Sequence, residues 1–487
     1  MVFNLYFHPL AKFPGPILWR VSRIPYAVSL LRGNLVKDQL EIHRKYGEVV
    51  RLAPNEISFT KEEAWHDIYT NRVGHQNPTK DPVWYKAPDD MPANIVTAID
   101  PTLHSRFRRL LENSFTEGAL RSQMPLVESY VDLLINRLRG LPMTPDNKIP
   151  GVVVNFVDWM SWYTFDVIGQ LALGESFGCL KDSKFHPWVK TLNNLLKGMV
   201  YAASTRWYPG MESLRFKLLP KSVMEMQRQH SDCANEKINR RLNLETSKPD
   251  FVTPFMEDNI DFHEISLRET QSNLAILIVA GADATATALS GTFLYLVQNR
   301  NTLDNLTSDI RGSFPDEKDI SIVTTSKLSY LNSVIIEGLR LTNPVPGGLP
   351  RIVPEGGDTY AGVFVPAQTS ISVRPYTMSR SEKYFAEPDA FIPERWLPQD
   401  IRPAKFDNDH FGVSNPFSVG HSNCIGKSLA LAEMKIVMAR IIWAIDLHEY
   451  GERLDWTSLK TFMIIRRSLS KSGLLQGKER VPMKISI

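Results

Sequence analysis

Phe417-Ser-Val-Gly420-His421-Ser422-Asn-Cys424-Ile-Gly426 sets one cysteine between two glycines, just ahead of a helical stretch from Lys427 to Trp443. Tight turns at Gly420 and Gly426 bring backbone amides and a flat ligand close to the sulfur. The positive end of the following helix lies near Cys424 and favours thiolate over thiol. An open thiolate is a soft, strongly donating metal ligand. On haem iron it pushes electron density that favours O–O cleavage. Read alone, the same stretch also fits a structural cysteine in a tight turn.

Outward from this loop, the bulk composition excludes several classes. The chain has 487 residues, enough for two or three average domains or one large enzyme core. It is 43% hydrophobic and 22% charged, as an ordinary globular protein is. With 56 basic and 53 acidic residues the formal charge is +3, so nothing calls for a nucleic-acid partner. Three scattered cysteines, Cys179, Cys233 and Cys424, make neither a disulfide framework nor a zinc site. Cys179 and Cys233 are expected to pack as small apolar residues.

No internal repeat or Gly/Ser linker divides the chain. Met1 to Phe7 is too short to span a bilayer, and His8-Pro9-Leu-Ala-Lys12-Phe-Pro14-Gly15-Pro16 resists helix. The spacing predicts a short helix and a β-hairpin turning at Pro54-Asn55, over Glu41 to Thr60. Helices are predicted over Ser105 to Ser114, Met124 to Arg139, Trp159 to Leu173, Ser222 to Leu244 and Ser326 to Leu341. A long one runs from Ser266 to Gln298, about 50 Å. Its middle, Leu274 to Thr292, carries no charge but Asp283 and should be buried nearly all round. Met143 to Gly151 and Lys248-Pro249-Asp250 read as breaks. Short strands follow at Ile352-Val353, Thr359 to Val365 and Ser370 to Val373, then a helix from Cys424 to Ala444 and C-terminal strands.

Four more stretches bear chemistry. Glu337 and Arg340 lie three apart on one helix face, a pair usually worth only about 0.2–0.5 kcal/mol. Arg106, Arg108 and Arg109 make a basic face. In Ala280-Gly281-Ala282-Asp283-Ala284-Thr285, an acid among small apolar residues is costly without a partner or a task. Gly281 weakens the helix by about 1 kcal/mol and lets a ligand approach the backbone. Trp84 to Ile99, Asn194 to Tyr201, Val345 to Leu349 and Phe462 to Ile465 are mostly apolar and outline a pocket for a hydrophobic small molecule.

Taken in order, these stretches resemble the cytochrome P450 family, over nearly the whole chain. The cysteine loop matches F-x-x-G-x-[R/H]-x-C-x-G at Phe417, Gly420, Cys424 and Gly426, with Ser422 at the basic position and His421 one place before it. The resemblance implies a mainly α, single-domain fold with small β-sheets. Residues 1–16 would be a proline-rich lead-in and 17–487 the haem domain. The cofactor implied is haem b with Cys424 as axial thiolate. Arg108, His104, Arg351 and His421 would reach its propionates. Glu337, Arg340 and Arg395, the last in Pro393-Glu-Arg-Trp396, would form a buried ion triad that locks the cysteine loop.

Asp283 would relay protons. The threonine that normally follows it is Ala284 here, leaving Thr285, Thr287, water or a substrate hydroxyl to supply the missing hydrogen bond. The nearest group is fungal secondary metabolism, similar to the isotrichodermin hydroxylases. The implied reaction is monooxygenation of a hydrophobic metabolite. Electrons would come from NADPH–cytochrome P450 reductase, with cytochrome b5 as a further donor, and the protein would be a monomer. Alternatives are a haem-thiolate enzyme that desaturates, couples, rearranges or dehydrates, a non-catalytic haem-binding protein, and a cysteine hydrolase using Cys424 and His421. In microsomal members a segment like residues 7–16 follows a membrane anchor. That implies the cytosolic face of the endoplasmic reticulum where an anchor precedes the chain, which itself is expected to hold no transmembrane helix.

Overall fold

The computed structural model describes all residues except 88–90, 143–151, 209, 211–220, 244–249, 258, 452, 463, 467–481 and 487. The predicted break at Met143 to Gly151 and most of that at 248–250 lie outside the described residues, as does part of the expected pocket wall at 462–465. Six helices build the site: α1 (Pro101–Glu112), α2 (Glu117–Arg139), α3 (Phe156–Leu173), α4 (Leu267–Gln298), α5 (Ser329–Thr342) and α6 (Lys427–Ala444).

Local chemistry sets their ends. Asp100 accepts hydrogen bonds from Thr102 N and Leu103 N, and Pro101 opens α1, so the helix starts four residues before the predicted Ser105. Thr116 caps α2, which runs on through Pro125. Ser266 and Glu269 close a reciprocal capping box on α4, and the predicted end at Gln298 is met.

α4 is the axle of the core. It packs on α3, α5 and α6, and three glycines set the approach. A Cβ on Gly281 would meet Ile168 Cδ1 of α3 at 2.6 Å, and one on Gly338 of α5 would meet Thr292 Oγ1 at 2.1 Å. On Gly291 it would meet Thr342 Cγ2 at 2.6 Å. Gly281 therefore lets α3 and α4 approach closely. Among the described residues, α4 is the one helix long and apolar enough to cross a membrane, and 61% of its most apolar window is buried inside the protein. In the same core Glu433 of α6 is buried, and burial alone pushes its carboxyl up to about 8, toward the neutral form.

Five strands form the main sheet: β1 (Val49–Ala53), β2 (Glu56–Phe59), β3 (Thr79–Lys80), β4 (Arg351–Ile352) and β5 (Ser370–Val373), in spatial order β1-β2-β5-β4-β3. β1 and β2 are the predicted hairpin, and β2 pairs parallel with β5. The predicted strand at Thr359 to Val365 is instead a hairpin of Asp358–Tyr360 and Val363–Val365, because Ala361 and Gly362 turn at positive φ. Register across β3–β4 sets Lys80 opposite Arg351. Pro482–Ser486 pairs with both Val152–Asn155 and Asp446–Glu449, tying the C-terminal strand to the entry of α3.

Candidate active site

The cysteine loop enters α6 through a 3-10 turn, Gly420–Ser422. Gly420 sits at φ +74°, and a Cβ there would meet the Tyr69 carbonyl oxygen at 2.0 Å. No other residue fits. Gly426, in contrast, has φ −83°, and the nearest atom to a Cβ would be 4.0 Å away. Its backbone is ordinary helix entry, so the expected tight turn is confined to Gly420. Cys424 N donates to Phe417 O at 2.9 Å, and Asn423 N to Gly420 O at 3.1 Å, closing the loop on itself. The Phe417 ring packs against the main core.

Cys424 is solvent-accessible as a residue, yet protein crowds its sulfur closely. That burial pushes the thiol up, against the Gly426 N–H, Arg108 and Lys427, which pull it down. A bound metal deprotonates such a thiol outright.

Arg108 grips the residue before the cysteine. Its Nη1 donates to Asn423 O at 2.7 Å, its Nη2 to Asn423 Oδ1 at 3.1 Å, and its Nε to Glu112 at 2.7 Å. The neighbouring arginines clamp α1 to the start of α4, Arg106 on Glu269 at 2.9 Å and Arg109 on Glu264 at 2.7 Å. They are less a free solvated face than two inter-helix bridges.

Beside Arg108 lies a basic cluster. His104 is buried and meets His421 edge to face, ring centroids 6.2 Å apart. Burial, then Lys80, His421, Arg108 and Arg351, lower His104 to about 4. Burial, then Arg351, Lys80 and Arg108, lower His421 as well. Arg351 is buried, donates to Pro350 O at 3.1 Å and lies over the rings of Tyr69 and Tyr85. Among the described residues, no carboxylate pairs with Arg351, His104, His421 or Lys80. Arg351 and Lys80, both buried and with no carboxylate partner among the described residues, fit an anionic ligand. With a thiol nearby, the donor set suits a metal-centred ring that bears carboxylates, as haem does.

The triad forms as expected and is larger. Glu337 Oε2 and Oε1 accept from Arg340 Nε and Nη2, both at 2.8 Å, and Oε1 from Arg395 Nε at 3.2 Å. Asp409 pairs with the far side of Arg395. Ile392 N and Trp396 Nε1 complete the carboxylate's shell at 2.9 and 2.8 Å. Burial raises the Glu337 carboxyl, but Arg340, Arg395 and these hydrogen bonds outweigh it and hold it below the usual range.

Asp283 and Ala284 are half-buried on α4, and Thr285 is buried. Over the first half of α4 lies the loop 92–98. Ser272 Oγ donates to Pro92 O at 3.0 Å, Asn94 to Ser272 at 3.2 Å, and Ile95 N to Asn273 Oδ1 at 2.8 Å. Trp84, in the expected pocket wall, packs edge to face on Trp207. Lys80, Asn423 and Asp409 escaped the sequence reading. A lone lysine in a two-residue strand bears no periodic signal, and an asparagine reveals its arginine only in the fold.

Comparisons with known proteins agree with this geometry. A family model described as Cytochrome P450 matches residues 12–471. The chain is 38% identical to cytochrome P450 monooxygenase astJ of Aspergillus oryzae, over 95% of this chain and 91% of the relative. It is 38% identical to trichothecene C-15 hydroxylase of Fusarium sporotrichioides, over 94% and 91%. It is 36% identical to versicolorin B desaturase of Aspergillus parasiticus, over 97% and 95%.

Proposed function

The chain belongs to the cytochrome P450 family, and from that membership we propose that it hydroxylates a hydrophobic fungal secondary metabolite, of terpenoid, polyketide or related skeleton. Cys424 carries this reading: an accessible thiol on a glycine-turned loop whose His421 lies near Arg351 and Lys80, both buried and without a carboxylate partner among the described residues. Haem bound there supplies reductive activation of dioxygen, with one oxygen atom going to substrate and one to water. The named relatives, a trichothecene hydroxylase among them, support the substrate class.

The chain's own residues do the rest. Cys424 would hold the haem iron through its sulfur. Gly420, Phe417 and Gly426 shape its loop, and Arg108 holds that loop through Asn423. Arg108, Arg351, His104 and His421 bind the haem carboxylates. Asp283 passes protons inward from its half-buried position, and Thr285, two residues on and buried, receives them. Residues 1–16 are the lead-in and 17–487 the haem domain.

Electrons come from NADPH through a cytochrome P450 reductase, with cytochrome b5 as a second donor, and the enzyme works as a monomer. Phe3, Tyr6, Phe7, Ile17, Leu18 and Ile24 are exposed on elements that pack together, an apolar face suited to the cytosolic surface of the endoplasmic reticulum membrane. On this basis the purified chain should float with phospholipid vesicles, and Phe3→Asp with Leu18→Asp should leave it in the supernatant.

The deciding experiment compares the precursor that accumulates in a deletion strain with the product restored by complementation. A gain of one oxygen is expected. A product two hydrogens lighter would instead assign desaturation, the activity named for one relative and the reading to which Ala284 points. Ala284→Thr should leave haem binding unchanged and lower the share of NADPH spent without product. An identical share in the variant would mean that position 284 has no part in oxygen handling.

A further inference from the structure

Lys80 is the one member of the basic cluster with two separate claims on it. It is 8% exposed, in the short edge strand β3. Its Nζ donates to Ile95 O and Val96 O, both at 2.9 Å, so it holds the loop that lies over α4. An ammonium has three donors, and among the described residues the third N–H has no partner. Arg351 lies directly across the β3–β4 pair, and the Tyr85 ring is 5.6 Å from Nζ. Burial, then Arg351, lower Lys80 to about 7, the behaviour of a cation waiting for an anion. Its charge also depresses both His104 and His421, so it faces the same space as they do.

We propose that Lys80 is a positioning residue that binds a haem carboxylate with its free N–H while its other two hold loop 92–98, coupling cofactor occupancy to the loop that covers α4. This rests on the haem reading above. It also answers a question left by the cysteine loop, where Ser422 occupies the usual basic position: the missing cation is supplied from β3 instead. The groups facing Lys80 are Arg351 on β4, His104 on α1, His421 on the cysteine loop and Tyr85 after β3. None of them is an acid, so removing Lys80 leaves a carboxylate unmatched rather than freeing a partner.

The test compares Lys80→Gln and Lys80→Arg in the haem-loaded full chain. Glutamine keeps two N–H donors for the Ile95 and Val96 carbonyls but loses the charge, and arginine keeps the charge. Haem transfer to apomyoglobin should be about tenfold faster in Lys80→Gln, the size of one charge-assisted hydrogen bond, and near wild type in Lys80→Arg. The ferric/ferrous midpoint of Lys80→Gln should move to a more negative value, because a cation beside the carboxylate favours the reduced form. Wild-type transfer rate and midpoint in Lys80→Gln would overturn the proposal and leave Lys80 as a loop brace. The wild-type reduced carbon-monoxide spectrum is recorded alongside. Its absence would sink the haem reading itself, and with it this inference, by a separate signal.

Discussion

Cys424→Ala is expected to yield a folded chain that loses the red-shifted reduced carbon-monoxide band of thiolate-ligated haem and retains haem at least about tenfold more weakly. Folding should survive because the loop is closed by backbone bonds, Cys424 N to Phe417 O and Asn423 N to Gly420 O, which alanine keeps. The basic cluster still offers cations to the haem carboxylates, so some haem should remain. Loss of outer-shell partners alone costs metal sites about 10–100-fold, and loss of the axial ligand should cost no less. Protein burial pushes the free thiol up, so haem loading of the wild type should release a proton as the thiolate forms. Isothermal titration in two buffers of different ionisation enthalpy reads that proton, and Cys424→Ala should abolish it. An unchanged reduced carbon-monoxide band in the variant would refute Cys424 as the ligand.

Glu337→Ala should be the most destabilising single change in the triad, about 3–5 kcal/mol, since it strands two buried guanidinium groups. Arg340 and Arg395 lose their shared carboxylate, and Trp396 Nε1 and Ile392 N lose their acceptor. Asp409 and the backbone carbonyls at Pro388 and Ala390 remain, which limits the damage to part of the network. Thermal unfolding at pH 7 should show a drop of several degrees, with haem released earlier than in the wild type.

The pH dependence has a definite sign. The Glu337 carboxyl is held below its usual range, so its stabilisation is complete above the unfolded value of about 4.3 and is lost as pH falls through the lowered folded value. The gap between wild type and Glu337→Ala should narrow in acid. A gap that is constant from pH 7 down to acid unfolding would show that the carboxylate charge is not what the arginines need.

Much of this could be read from residues alone where a local rule dominates. α4 was legible to its last residue, because an almost charge-free run fills its middle. The hairpin at Pro54-Asn55 and the strand at Ser370 were legible from alternation and turn chemistry. Ends set by a cap far from the periodic core were missed, as at Asp100 and Thr116. The positive-φ turn at Ala361-Gly362 was hidden inside what reads as one strand.

The site divides in the same way. The order of its residues along the chain determined the haem-thiolate family: a cysteine framed by Gly420 and Gly426, Asp283 in an apolar helix, and Glu337, Arg340 and Arg395 in turn. Tertiary structure alone decided what each of them meets. It set Gly281 against Ile168, turned Arg108 onto Asn423, and buried the Cys424 thiol so that its ionisation is pushed up. It also brought Lys80, which stands out in no motif, beside Arg351 and His104, where no carboxylate among the described residues pairs with it. The physical reason is that covalent order sets which groups are available, whereas burial and the choice of neighbour, on which charge and packing depend, exist only once distant segments have met.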